Sequence, residues 1–446
     1  DGICYVISTN VTDGSKDDGN FIVWTDDPYC EWSDPVLIDL PGIDSSLFFD
    51  DDGKVYYTGA FDNGIFMSEL EFSYKYDENG KVVDISCKTV SEKKFMWYGT
   101  GGNDPEGPHL YKINGWYYLL ISEGGTEFCH MITVARSRNI WGEYESCPRN
   151  PVFSNRSTSL PIKGTGHMDI VCDQYGDWWG VCLANRPITY PFKHNLGRET
   201  FLVPVEWDDK DWPVIGRNGL LDERISSDRK LHEGVMQKSQ TDEGKHFHDE
   251  FDGDVLKQDW NFIYNTPSKY AALDKTKGLL LYGTKEPIIS SGEIAWVGYR
   301  QKHHEFMAET HIDFANMEDG SEAGFTIYMN SKHHYELFTS VLDGERWLMF
   351  RRRIGSLIRE DRISRLADDS IYMRLEALKG ENGENIYCFS YKENGEWLEA
   401  GEGEADYLTT EVGGRFTGNY IALYASGDGK DCRNAVQFDM FDYIGV

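Results

Sequence analysis

The strongest constraint on this chain is a pattern that occurs three times: an ionisable residue, a glycine nine positions later that ends a turn, and then a pair of aromatics. The copies are Asp44 with Gly53, Tyr56 and Tyr57; Glu106 with Gly115, Tyr117 and Tyr118; and His167 with Gly176, Trp178 and Trp179. A fourth copy opens the chain as Asp1-Gly2-Ile3-Cys4-Tyr5, without the position nine residues before Gly2. Successive glycines fall roughly 50 to 60 residues apart, which suits one four-stranded propeller blade per repeat. Each glycine then marks the hairpin between a blade's first and second strands. Equivalent positions on innermost strands face a common axis, so Asp44, Glu106 and His167 are expected to converge on one pocket.

The second copy is the most telling. Gly101-Gly102-Asn103-Asp104-Pro105-Glu106-Gly107-Pro108-His109-Leu110 sets one Glu between glycines and prolines, at the mouth of the apolar run Trp116-Tyr117-Tyr118-Leu119-Leu120-Ile121. A carboxyl there is rigidly held and partly stripped of water, which raises its pKa and suits a general acid. On those ten residues alone a solvated Glu at a strand entry is the plainer reading. Repetition of the offset is what favours chemistry.

Charge and composition exclude several partners. Lys plus Arg number 44 against 75 Asp plus Glu, a formal charge of −31, which argues against nucleic-acid phosphate and against an anionic membrane. Aromatic residues make up 14% of the chain, and apolar sugar faces stack on aromatics. The nine cysteines are scattered and show no CxxC spacing. Those in apolar runs, such as Val171-Cys172 and Val181-Cys182, read as small buried hydrophobes, and reduced thiols of a cytoplasmic protein are the simplest reading. No apolar run approaches the length of a membrane span.

Along the chain, blades are expected over about 1–40, 41–100, 101–160 and 161–220, the first lacking its opening strand. Asp50-Asp51-Asp52-Gly53 reads as a solvated hairpin and not a metal loop, because EF-hand spacing is absent. Ser122 to His130 reads as a glycine-hinged polar loop beside the pocket. A polar linker follows over 221–248. From 249 to 446 the pattern changes to period two: Phe306, Ala308, Thr310, Ile312 and Phe314 alternate with polar residues, as do Phe325, Ile327 and Met329, and Val436, Phe438 and Met440. Many short alternating segments predict a β-sandwich with one wet face per sheet. Arg351-Arg352-Arg353 is expected on an exposed strand face.

These motifs together resemble glycoside hydrolase family 43, in its two-domain β-xylosidase and α-L-arabinofuranosidase branch. The residues that carry the resemblance are Gly42-Ile43-Asp44-Ser45-Ser46-Leu47-Phe48, Pro105-Glu106-Gly107-Pro108-His109, Glu123-Gly124-Gly125-Thr126, Gly164-Thr165-Gly166-His167, Gly197-Arg198-Glu199-Thr200 and, in the second half, Gly414-Arg415-Phe416-Thr417-Gly418 with the closing Phe438 to Tyr443. The resemblance implies an all-β protein: a five-bladed propeller over 1–220, a linker over 221–248 and a concanavalin-like sandwich over 249–446.

It also implies roles. Family members invert the anomeric centre with one carboxylic acid and one water-activating carboxylate set roughly 6.5–9.5 Å apart. By resemblance Glu106 is the general acid and Asp44 the carboxylate that tunes and orients it, while Arg198 binds sugar hydroxyls and pairs with Asp44. Thr126 and Ile43 line the substrate site, and Phe416 reaches over from the sandwich to close it. His167 holds a water or a structural Ca²⁺ in the central channel, and no cofactor is required for the chemistry. The family's general base is an Asp in a Pro-Asp-Pro type segment of the first blade. Asp1 does not match it, so the base is expected outside this sequence, and the chain as written to lose about 10²- to 10⁴-fold in rate.

The activity implied is exo-acting release of terminal xylose or arabinofuranose from xylan-derived oligosaccharides. A carbohydrate-binding homologue without turnover is the alternative, and the missing base supports it. The expected partners are xylo- or arabino-oligosaccharides, with homo-oligomerisation left open.

Overall fold

The computed structural model describes residues 2–11, 19–188, 190–225, 245–264, 266–380, 385–414 and 416–446. Asp1, Arg415 and most of the expected linker therefore lie outside the described residues. Strands dominate, and the helical elements among the described residues are single turns. The chain divides into two compact units. One is Asp1–Asn185 with Glu199–Arg229; the other is Arg186–Arg198 with Lys230–Val446.

The first unit is a propeller-like series of four antiparallel sheets. The first holds β1 (Cys4–Thr9), β2 (Asn20–Thr25) and β3 (Val36–Ile38). The second holds β4 (Ile43–Phe49), β5 (Val55–Phe61), β6 (Gly64–Tyr76) and β7 (Val82–Thr89), with β8 (Lys94–Trp97) also against β6. The third is β9 (Glu106–Ile113), β10 (Trp116–Glu123), β11 (Met131–Ser137) and β12 (Glu145–Ser146); the fourth is β13 (Lys163–Cys172), β14 (Trp178–Asn185), β15 (Glu199–Trp207) and β16 (Pro213–Ile215). Gly53, Gly115 and Gly176 close the β4–β5, β9–β10 and β13–β14 hairpins with φ of 84°, 73° and 87°, the left-handed region that only glycine enters freely.

Apolar side chains pack between neighbouring blades, which is how twisted sheets bury both faces without closing on themselves. Ile22 and Ile38 meet Val55, Tyr57 and Phe66; Tyr56, Ile65 and Met67 meet Leu110, Leu119 and Ile121; Tyr118, Leu120 and Ile132 meet Met168, Ile170 and Val203. The acidic hairpin of the second blade is not simply solvated. Asp50 accepts hydrogen bonds from Lys112 Nζ and Tyr117 Oη, both at 2.7 Å, and so ties the second blade to the third. Cys182 is buried as expected, whereas Val171 and Cys172 are exposed at the outer end of β13.

The second unit is a sandwich of an eight-stranded and a seven-stranded sheet. Its core holds Leu279, Phe306, Ile312, Phe325, Ile327, Phe350, Phe389 and Phe438. Phe306–Asp313 alternates buried and half-buried as the period-two pattern predicts. Glu322–Asn330 does not: Thr326 and Tyr328 are buried as well, and Tyr328 packs in a second cluster with Trp296, Phe338, Met349 and Tyr424 of neighbouring strands and with Ile288 and Ile294 from outside the sheet. Met440 is another departure. The register between Ala435–Gly445 and Phe306–Asp313 slips beside Asp439, where His311 faces Met440 and Ile312 faces Phe438. That bulge reverses the alternation, so Phe441 and Tyr443 fill the core in place of Met440.

The three arginines also depart from the expected exposed face. Arg351 is buried, and its guanidinium bonds Glu336 Oε1 at 2.9 Å, Glu322 Oε1 at 2.6 Å and Glu360 Oε2 at 2.8 Å. The segment Arg186–Arg198, which interrupts the fourth blade between β14 and β15, belongs to this second unit. Asn195 Nδ2 donates to Tyr387 Oη at 2.7 Å, and His194 N–H to Glu411 Oε2 at 2.9 Å.

Candidate active site

Asp44, Glu106 and His167 stand on β4, β9 and β13, the first strands of three consecutive blades. Each of those strands loses its pairing register at the residue concerned. The slips fall between Ile43 and Ser46, opposite Leu120 and Ser122 where β9 begins, and on both sides of Gly166. Bulges re-aim side chains, and here they coincide with left-handed backbone: Asp44 has φ 53°, His167 φ 50° and Gly107 φ 56°. A non-glycine residue in that region stores strain, which a fold tolerates where a side chain's direction matters.

Asp44 links the second blade to the backbone beside Glu106 and to His167. Asp44 Oδ2 accepts the Gly107 N–H at 3.3 Å and lies 3.4 Å from His167 Nε2. The His167 N–H donates to the buried Ser122 Oγ at 2.6 Å, joining the third blade to the fourth. Gly107 sits against the imidazole of His167, where a Cβ would come within 3.0 Å of the ring. All three ionisable side chains remain partly open, at 24% for Asp44, 19% for Glu106 and 29% for His167, so a ligand can reach each. His109, from the same Glu-Gly-Pro-His run, is half-buried with Nδ1 3.0 Å from Ser46 Oγ, and desolvation lowers its pKa below the usual imidazole value.

Two residues at this site had no assigned role in the sequence. His130 is fully buried; its Nε2 lies 3.7 Å from Glu106 Oε1 and its Nδ1 is 3.2 Å from the Gly164 carbonyl. A carbonyl only accepts, so Nδ1 carries the hydrogen it donates there, and Nε2 is the ring atom that faces Glu106. Gly166 leaves room for this ring, since a Cβ there would come within 2.4 Å of it. Glu123, at the end of β10, is sealed from solvent and gathers donors from the turn that leads into Glu106: Thr100 N–H at 2.9 Å and Gly102 N–H at 2.8 Å, with Thr133 Oγ1 at 2.5 Å from β11. Both lie on the segment 122–130, which the sequence marks as a polar loop.

Of the other expected site residues, Ile43 is half-buried beside Asp44. Thr126 lies in the loop after β10, and its Oγ1 is shielded without a hydrogen-bond partner. Arg198 and Phe416 meet in the second unit, where the guanidinium lies 4.8 Å from the ring centroid and the Arg198 N–H donates to the Phe416 carbonyl at 3.3 Å.

A calcium ion takes six to eight oxygen ligands. His167 and Asp44 offer one imidazole and one carboxylate, and the one group of three metal-ligating side chains found among the described residues lies elsewhere. The protein atoms at His167 do not by themselves compose a calcium site, and the chemistry below uses no ion.

Carboxylates presented at the hub of a propeller whose chain continues into a concanavalin-like sandwich are the equipment of a glycoside hydrolase. Residues 1–213 match the family model for glycosyl hydrolases family 43, and residues 248–444 match that for the β-xylosidase C-terminal concanavalin A-like domain. A non-reducing end α-L-arabinofuranosidase of Bacteroides ovatus is 33% identical over 447 residues, covering 99% of this chain and 79% of that protein. A xylosidase/arabinosidase of Butyrivibrio fibrisolvens is 35% identical over 450 residues, covering 99% and 83%. Among solved structures, a xylan β-1,4-xylosidase from Bacillus halodurans superposes with a TM-score of 0.82 at 27% identity, covering 100% of this chain and 85% of that one. The chain belongs to glycosyl hydrolase family 43.

Proposed function

We propose that this protein is an exo-acting, inverting glycoside hydrolase that releases terminal xylose or arabinofuranose from xylan-derived oligosaccharides, with Glu106 as the acid that protonates the leaving oxygen. The observation that carries this reading is that Asp44, on a bulged first strand, accepts the N–H of Gly107, next to Glu106, and lies 3.4 Å from His167. Asp44 fixes the backbone immediately after Glu106 through the Gly107 N–H, which makes it the orienting carboxylate. His130, buried 3.7 Å from Glu106 Oε1, is the side chain placed to position the acid's carboxyl.

On this reading Arg198, stacked on Phe416, binds sugar hydroxyls, with Thr126 and Ile43 as further substrate contacts. His167 orders a water at the hub, and the propeller is completed to five blades. No general base is assigned among the residues numbered here. The relatives named above are enzymes acting on xylosides and arabinosides, which favours hydrolysis over binding alone.

Leaving-group dependence is the test. Protonation matters least when the leaving group is already acidic, so Glu106→Ala is expected to lose at least ~10²-fold more on an oligosaccharide or alkyl glycoside than on a nitrophenyl glycoside. Equal losses on both substrates would remove Glu106 from the acid role.

A further inference from the structure

We infer that the second unit carries a transition-metal site, of the kind that takes Zn²⁺, built from His246, His248 and Asp442. His246–Asp249 is the first described strand of that unit, and it pairs antiparallel with Ala435–Gly445, the last. His246 and His248 are two apart on one strand and so share a face. Asp442 is the direct cross-strand partner of His248, and Ile444 that of His246, so the carboxylate stands on the same outward face as both rings. The inward residues of the same strands, Phe247, Asp249, Phe441 and Tyr443, are buried or half-buried.

The three side chains already point at one spot. His246 Nε2 is 2.7 Å and His248 Nδ1 3.0 Å from the same oxygen, Oδ1 of Asp442, and all three ligand atoms lie within 4.8 Å of one another. Asp442 is the recessed member at 18% exposure, whereas the two imidazoles are 58% and 43% exposed, which leaves an open side for water or a fourth ligand. The other nitrogen of His248 is 3.6 Å from Glu250 Oε1, a carboxylate able to orient the ring and raise its basicity as outer partners of metal-bound histidines do. Glu309, the partner of Asp442 on its other side, is engaged by Arg374 Nε at 2.7 Å and is not a competing ligand. Lys257, a nearby cation, is held by Asp249 at 3.3 Å and by the His248 carbonyl at 2.6 Å.

The donor set decides the metal class. Two imidazole nitrogens and one carboxylate oxygen suit Zn²⁺ and its neighbours in the transition series, whereas Ca²⁺ and Mg²⁺ require oxygen-rich shells. Ligand atoms around a tetrahedral zinc stand about 3.3–3.5 Å apart, given bonds of about 2.0–2.2 Å, so side-chain rotations that lengthen the two histidine–carboxylate distances by a fraction of an ångström bring them to that size. A bound ion clamps the first and last strands of the sandwich together and stabilises the unit through linkage.

The experiment uses the full-length, tag-free protein stripped with chelator and titrated with ZnCl₂ against a chromogenic zinc indicator, with Tm followed in parallel. The wild type is expected to bind one equivalent at pH 7.5, with Tm rising by about 5 °C at a hundredfold excess over Kd. His246→Ala and Asp442→Asn are each expected to weaken this equivalent at least ~100-fold. Both sites are at the surface, and far-UV circular dichroism checks that the variants fold. A crystal soaked in ZnCl₂ should show an anomalous peak between the three side chains whatever the variants do. Equal zinc uptake by wild type and variants, Ca²⁺ binding as tightly as Zn²⁺, or no anomalous peak at this place overturns the inference and leaves two hydrogen bonds onto one carboxylate oxygen.

Discussion

A carboxylate sealed from solvent is costly unless donors surround it, and Glu123 is surrounded by Thr100 N–H and Oγ1, Gly102 N–H and Thr133 Oγ1. These bonds fix the turn 99–102, four residues short of Glu106. Glu123→Ala strands the two backbone N–H groups and is expected to cost about 2–4 kcal/mol. Glu123→Gln keeps the shape and one acceptor oxygen and is expected to recover part of that loss. Urea denaturation measures the stability, and kcat on a poor leaving group reports the acid; if both variants match the wild type in both assays, Glu123 does not anchor the turn. The sequence made Asp44, Glu106 and His167 legible because hairpin register is local, so a fixed offset from a turn glycine reports a fixed place on a blade. His130 and Glu123 fall outside that offset. Their placement depends on the 124–130 loop folding back through contacts such as Gly124 N–H to Asn103 O at 2.7 Å, which no spacing encodes.

Across the seven-stranded sheet, Glu322, Glu336, Arg351 and Glu360 lie on four adjacent strands and form a ladder with the arginine at its centre. Arg351 also lies 4.3 Å over the Phe338 ring, within the apolar cover of that face. Removing the one cation leaves Glu336, fully buried, and Glu322 facing each other, so Arg351→Met is expected to destabilise the second unit by about 3–5 kcal/mol. The loss should shrink toward pH 5 as these carboxyls take up protons; a loss under 1 kcal/mol at pH 8 by chemical denaturation would mean that the ladder is not coupled. Alternation along a strand tells which residues share a face and not what covers it. The wet-face expectation held for Phe306–Asp313 and failed for Glu322–Asn330 and Arg351, where side chains of neighbouring strands, with Ile288 and Ile294, bury the second face. The bulge beside Asp439 is similarly invisible, since the alternating pattern reads on without a break while the pairing slips.

At the scale of the molecule, the change of hydrophobic period separated a propeller-like half from a sandwich, but nothing local announced that Arg186–Arg198 joins the second unit through Asn195, His194 and Leu196. The pH dependence of stability is also a sum over distant groups. In the second unit burial pushes His334 down to about 3, so below about pH 6.5 the unfolded chain takes up a proton that the native state refuses, and stability falls as pH falls. Burial pushes Glu322 the other way, up to about 7 against the pull of Arg351, so the native state keeps a proton that the unfolded chain releases above about 4.5, and stability rises as pH falls. Between pH 7 and 5.5 each contributes on the order of 1 kcal/mol with opposite sign, and the two nearly offset. Acidification also relieves repulsion in a chain of formal charge −31, but that background is common to variants of one protein. Glu322→Gln leaves His334 unopposed and should make the second unit less stable at pH 5.5 than at pH 7 relative to wild type, while His334→Gln leaves Glu322 unopposed and should make it more stable. Chemical denaturation of both variants at the two pH values reads the slopes, and slopes of the same sign relative to wild type would show that these two buried groups do not balance each other.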